Sequence, residues 1–395
     1  MKTIELRGKR GNVDNLDAEV KTELLGEDHK AVRESCVVPG PIPEEAEELE
    51  QIYQEMENLN IKPLWTQIDG LMPSTPEPKA VSHHWKWEEL YRLAKKSGTL
   101  VPVGRGGERR AIGLANPGLD GNTYISPTLW CAIQYLQPGE NAPEHRHSQN
   151  AFRFVLEGEG VWTVVNGDPV PMRRGDFLLT AGWNFHGHHN IATEPMAWLD
   201  GLDIPFAHQM DSGFFEFGSE ELTDQSTPEK SRSEQLWAHP GLRPLAFPGP
   251  MSSSPIGRYA WEHTDSALNA QLELEDAGYP GVYEPGHAAI RFSNPTTGGD
   301  VMSTIRAEFH RLRANVSTKP LYEVGNRVFQ VFEGQATVQV GEQTFKATKG
   351  DIVNVPSWQQ WHIEAGNEGV DLFCFSDHPI FEALHLNRTF SPKGI

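Results

Sequence analysis

Several common kinds of protein are excluded by what this chain lacks. Only three of its 395 residues are cysteines, Cys36, Cys131 and Cys374, and they lie far apart. That leaves no disulfide framework, no CxxC motif and a poor basis for a thiolate metal cage, so a metal here would want histidine or carboxylate. No apolar run approaches the roughly 18 residues of a membrane span. The start, Met1-Lys2-Thr3-Ile4-Glu5-Leu6-Arg7, has no continuous apolar stretch of the secretory kind. The expected compartment is the cytoplasm, with no membrane partner. Positive charge is scarce as well: 34 Lys and Arg stand against 54 Asp and Glu, a net charge of −20. Such a field repels nucleic acid and anionic lipid surfaces, so no nucleic-acid partner is expected. It also disfavours a small anionic ligand, and a pocket for one would have to bring its own arginines.

The N-terminal part reads as helices and loops. From Pro43 to Asn60, Ala46, Leu49, Ile52, Tyr53, Met56 and Leu59 recur at three- and four-residue steps, the period of an amphipathic helix. Pro63 and the Pro73, Pro76 and Pro78 cluster interrupt the chain, and Trp85 to Lys95 reads as a second helix. From about residue 100 the texture changes to short β-branched and aromatic runs separated by Gly, Pro, Asn and Asp, which predicts antiparallel strands. Val161 to Val165 followed by Asn166-Gly167 predicts a hairpin with a type I′ turn. A stretch rich in Ser, Pro and Gly follows, and β-texture returns near residue 282. The expected organisation is an N-terminal extension over residues 1–99, a first barrel over 100–217, a linker over 218–281 and a second barrel over 282–395.

The two β-rich parts repeat each other. Val155-Leu156-Glu157-Gly158 corresponds to Val331-Phe332-Glu333-Gly334, Gly175-Asp176 to Gly350-Asp351, and Phe185-His186 to Trp361-His362. A repeat of this length is a duplicated domain, since solenoid units run to roughly 20–50 residues. In the first copy, His145 and His147 stand two apart in a predicted strand and project from one face of it. His186, His188 and His189 lie beyond the hairpin, and each satisfies the spacing of a third ligand. An HxH pair alone is common by chance, and with 16 histidines in the chain it carries little weight. Three neutral imidazoles would hold a divalent ion on one side and leave the other side open.

Gly139, five residues, His145-Arg146-His147, ten residues and Gly158 resemble the first cupin motif, and Gly175, ten residues, His186, three residues and Asn190 resemble the second. The match covers residues 139–190, with a weaker copy over 321–366. Many cupins carry a glutamate shortly after HxH; here Ala151, Phe152 and Arg153 fill that stretch, which argues against oxalate-type chemistry. More specifically, His145 to Gly158 together with Trp198-Leu199-Asp200-Gly201-Leu202-Asp203-Ile204-Pro205 resembles the bicupin gentisate 1,2-dioxygenase family, which includes salicylate and 1-hydroxy-2-naphthoate dioxygenases. The resemblance spans roughly residues 85–215. It implies an all-β bicupin of two jelly-roll barrels, Fe(II) on His145, His147 and His186, O2-dependent cleavage of an aromatic hydroxy acid, and a homotetramer.

The same resemblance names the remaining candidates. Arg153 falls at the family's substrate-binding arginine, and its place in the apolar strand Phe152–Leu156 points independently to a buried charge that needs an anion. Arg105 and Arg109 match further pocket arginines, with Arg110 an alternative to Arg109; alone, all three would read as a solvated loop. Gln134 and Asp200 match positions that bond the substrate, and His188 an acid/base beside bound oxygen, although Asp200 and Asp203 around Gly201 also read as a simple turn. Trp130 and Ala111 resemble the salicylate-type members and Ala132 the gentisate type, and a small residue at 111 leaves room for a fused ring. In the second copy Leu321, Glu323 and Phe329 replace the two ligands and the arginine, and His362 stands alone, so no second metal site is expected. The alternative classes are a non-catalytic bicupin that binds a small ligand or stores protein, and a zinc or manganese cupin isomerase.

Overall fold

The computed structural model describes residues 45–73, 76–103, 110–218, 228–239, 241–247 and 249–390. The chain divides into two units, Met1–Pro78 and Lys79–Ile395. In the first, the amphipathic period becomes the helix Ala46–Asn58, with Glu47 and Glu48 in its first turn, where negative charge complements the helix dipole. A 3-10 turn, Leu64–Thr66, and a short helix, Ile68–Leu71, follow.

The second unit holds two β-barrels. The first is built from two antiparallel sheets. One runs in the order Arg258–Tyr259, Phe177–Thr180, Ala151–Glu157, Met196–Leu202, Trp130–Leu136, Ala111–Gly113, and the other in the order Phe215–Phe217, Asn141–His147, His186–Asn190, Glu159–Val165, Asp168–Arg173. The expected hairpin joins Glu159–Val165 to Asp168–Arg173, with Asn166 at φ 47° and Gly167 at φ 76°, the two positive angles a type I′ turn requires. Ala151 to Leu156 are all buried, because both faces of this strand are covered. Arg153 and Val155 face the barrel interior, while Phe152 and Phe154 pack against the second barrel. Phe154 stacks on Phe373 at 4.1 Å and 5°, and Phe152 meets Phe375 edge-on at 4.9 Å. The apolar layer between the barrels is therefore a continuous core.

The second barrel winds on two long strands, Arg327–Val340 and Gln360–Ser376, paired antiparallel. Its interior holds an apolar cluster that includes Phe329, Val331, Val338, Trp361, Ile363 and Leu372, against which the buried Arg327 pairs with Glu308 and Glu323.

Each barrel borrows an edge strand from the segment preceding the other. His83–Trp85 pairs with Ile352–Val355 of the second barrel, and Arg258–Tyr259 with Phe177–Thr180 of the first. The repeated Gly-Asp explains how. Asp351 accepts the Trp87 backbone N–H at 2.8 Å, and Asp176 accepts that of Trp261 at 2.9 Å. Each tryptophan lies directly over the preceding glycine: a Cβ on Gly175 would sit 2.8 Å from the Trp261 ring. Two expectations change accordingly. Trp85 belongs to a strand, and the helix begins at Trp87 and runs to Leu100 within the barrel unit. Residues 218–281, expected as a linker, include the helices Arg232–Trp237 and Trp261–Asp276. Neither edge strand has a signal of its own, because two or three residues gain their order only from the partner sheet.

Candidate metal centre and substrate cavity

His145 and His147 project from the same face of Asn141–His147, and the antiparallel register sets His186 directly opposite His145. Their ring centroids are 4.3 Å apart, and His147 lies 4.9 Å from His186. One nitrogen from each of the three falls within 4.8 Å of the others. Each Nδ1 faces a backbone carbonyl: His145 that of Pro143 at 2.9 Å, His147 that of Gln149 at 2.9 Å and His186 that of Asn184 at 3.0 Å. A carbonyl only accepts, so each Nδ1 carries the proton and each Nε2 keeps its lone pair, the tautomer of a metal ligand with its ring fixed from behind. His186 Nε2 is sealed from solvent and has no hydrogen-bond partner among the described residues. Burial first, then the neighbouring Arg153 cation and the other two imidazoles, hold His186 well below the ordinary histidine range, so it stays neutral. A buried lone pair with no donor, beside two more imidazoles, fits a divalent metal ion.

The trio forms one wall of a cavity of about 850 Å³ that is also lined by Ala111, Trp130, Gln134, Arg153, His188 and Asp200. Arg153 is 4% exposed, donates from Nη1 to Thr180 Oγ1 at 2.6 Å, and has Nε 3.4 Å from Asp200 Oδ1. Asp200 accepts from Trp198 Nε1 at 3.1 Å, and burial, opposed by Arg153, pushes it up to about 6. It sits within the strand Met196–Leu202, so the turn reading of Asp200 and Asp203 does not hold; Asp203 instead accepts from Asn150 and Thr304. His188 faces inward with Nδ1 2.8 Å from Thr163 Oγ1, and burial holds it well below the ordinary range. The cavity lining thus places one buried guanidinium, flanked by a carboxyl, beside neutral imidazoles.

Residues 132–202 match the model of the cupin domain. A gentisate 1,2-dioxygenase from a Streptomyces species is 59% identical over 341 residues, covering 86% of this chain and 95% of that protein. The chain belongs to the gentisate 1,2-dioxygenase family. A solved structure of the salicylate 1,2-dioxygenase of Pseudoaminobacter salicylatoxidans with gentisate matches with a TM-score of 0.87 at 62% identity, covering 91% of this chain and 97% of that one. The 1-hydroxy-2-naphthoate 1,2-dioxygenase of Nocardioides sp. (strain KP7) is 31% identical over 330 residues, 82% of each chain. The enzyme class of this gentisate dioxygenase family member is that of a ring-cleaving dioxygenase on a bicupin fold.

Not every candidate lines the family cavity. Arg105 and Arg109 lie outside the described residues. Arg110 is buried away from the cavity, where it pairs with Glu140 at 2.5 Å and donates to the carbonyls of Val101 and Tyr135, so it does not stand in for Arg109. His189 alternates to the opposite face and stacks on Trp162 at 5.8 Å, which removes it as a ligand. The sequence reading missed Phe215 and Phe217. Their strand pairs with the histidine strand and lays Phe215 over His145 at 5.3 Å; the alternating Phe215-Glu216-Phe217 was the available signal.

In the second barrel, the register Leu321 opposite Trp361 repeats His145 opposite His186. The third ligand position therefore holds Trp361, and His362, aligned there by sequence, falls one residue out of phase. Trp361 Nε1 instead donates to Glu323 at 3.2 Å. Glu308, His310 and Cys374 form another group with ligand-type atoms, but Arg327 already places a cation among them, 2.6 Å from Glu308 and 3.4 Å from the Cys374 sulfur.

Proposed function

We propose that this chain is an Fe(II)-dependent dioxygenase that opens the ring of a 2-hydroxybenzoate-type acid, salicylate, 1-hydroxy-2-naphthoate or gentisate, between the carboxyl- and hydroxyl-bearing carbons. The observation that carries the reading is the convergence of one ring nitrogen from each of His145, His147 and His186 on one side of a cavity that also holds a buried arginine. His145, His147 and His186 would hold the iron, which supplies a common site for the hydroxy acid and O2 and so the proximity the reaction needs. Arg153, itself buried, neutralises the substrate carboxylate through charge-assisted hydrogen bonds. Asp200 and Gln134 offer hydrogen-bond partners to the ring substituents, and His188, neutral and anchored by Thr163, is placed to hold or move a proton at its Nε2. Arg105 and Arg109 complete the anion site in this reading, as their match to the family implies.

Ala111 and Trp130 line the cavity from the sheet opposite the histidines, and the small side chain at 111 favours acids that carry a second fused ring. The active form is a homotetramer, and its setting is the cytoplasm; no helix among the described residues is long and apolar enough to cross a membrane. The deciding experiment is anaerobic loading with Fe(II), followed by oxygen uptake with salicylate, gentisate and 1-hydroxy-2-naphthoate. Stoichiometric uptake with a ring-opened product is expected. A protein that takes no iron and no oxygen would instead be a non-catalytic bicupin, and turnover without oxygen would indicate an isomerase.

A further inference from the structure

The carboxylate reading of Arg153 leaves open what aims its guanidinium. Two side chains flank it. Asp200 is the obvious partner by charge, yet Arg153 Nε, 3.4 Å from Asp200 Oδ1, makes no hydrogen bond, and that same Oδ1 accepts from Trp198 Nε1. The hydrogen bond that Arg153 does make among the described residues runs from Nη1 to Thr180 Oγ1, at 2.6 Å. Thr180 ends the strand Phe177–Thr180 and is wholly buried, and it lies opposite Ala151, two residues before Arg153. Its backbone position is fixed by the sheet and its hydroxyl has no solvent to turn toward. Among the described residues no hydrogen bond runs from Nη2, and Arg153 lines the cavity.

We infer that Thr180 is a positioning residue that turns the free edge of Arg153 toward the substrate carboxylate and away from Asp200. The inference rests on the carboxylate reading above. Without the hydroxyl, Asp200, 3.4 Å from Nε, is the acceptor that remains beside the guanidinium among the described residues. A fork that closes onto Asp200 spends its bidentate edge inside the protein and presents less of it to the ligand. Valine keeps the branched shape and strand preference of threonine and removes only the acceptor.

The test compares Thr180→Val, Thr180→Ser and Arg153→Met in the Fe(II)-loaded enzyme. Thr180→Val should raise KM for salicylate by about tenfold while kcat stays within about twofold, the pattern of a lost binding contact. Thr180→Ser should restore the parent KM. Inhibition by catechol, which lacks the carboxylate, should be unchanged in both. As a second readout, metal-free protein is titrated with salicylate by tryptophan fluorescence, and affinity should fall in Thr180→Val alone of the two. A parent-like KM in Thr180→Val, an equal loss in Thr180→Ser, or an equal loss for catechol would each overturn the inference. If Arg153→Met also leaves salicylate binding intact, the carboxylate reading itself fails. If Arg153→Met weakens it and Thr180→Val does not, only the role of Thr180 is lost.

Discussion

Replacing Arg153 by methionine removes a cation from a site where Asp200 has little else to hold its charge, and the consequence can be worked out from that carboxyl. In the folded chain Asp200 titrates at about 6 against an ordinary value of 3.8, because burial raises it more than Arg153 lowers it. Its folded value lies above its unfolded one, so the folded chain binds more protons between the two. Stability contributed by this group therefore falls as pH rises from 3.8 to 6, and levels off above 6. Without Arg153 the lowering influence is gone, Asp200 stays protonated beyond pH 6, and the fall continues. For as long as Asp200 stays protonated in the folded variant, each further pH unit costs up to about 1.4 kcal/mol, so the deficit of the variant relative to the parent should grow with pH above 6. Urea unfolding of the metal-free proteins at pH 6, 7 and 8 measures it. Adding Asp200→Asn to Arg153→Met should abolish the slope. A deficit that does not change with pH, or one that survives in the double variant, would refute the coupling of these two residues.

The other predictions concern the metal, the pocket and the core. His147→Ala removes one of three imidazoles and should abolish stoichiometric iron binding, read by metal analysis after desalting; a variant that keeps full iron content and activity would remove His147 from the ligand set. Ala111→Leu should lower kcat/KM for 1-hydroxy-2-naphthoate relative to salicylate by about 10- to 200-fold, the range expected when a few apolar groups crowd a pocket. Phe373→Ala takes away the ring stacked on Phe154 between the barrels and should destabilise the chain by about 3–5 kcal/mol in urea melts, while iron binding in the folded fraction stays near parent level.

The local chemistry of the site was legible in the sequence. Two histidines two apart in a strand must share a face, and Asn166-Gly167 must turn the chain, so a return carrying His186 could be anticipated. An arginine within Ala151–Leu156 must be buried, because the residues on either side of it are. These follow from the period of a strand and the steric freedom of glycine, which depend on nearest neighbours alone. Choosing among His186, His188 and His189 needed the register between Asn141–His147 and His186–Asn190, which shows His189 on the wrong face and His188 committed to Thr163. Discarding Arg110 needed Glu140, 30 residues away, and discarding His362 needed the pairing of Leu321 with Trp361. The exchanged edge strands His83–Trp85 and Arg258–Tyr259 had no signal of their own, since segments that short become ordered only against a sheet already formed. Identity of the chemical groups is written in the chain, but which of them meet is decided by strand register and long-range packing, whose free energy comes from contacts that no local window contains.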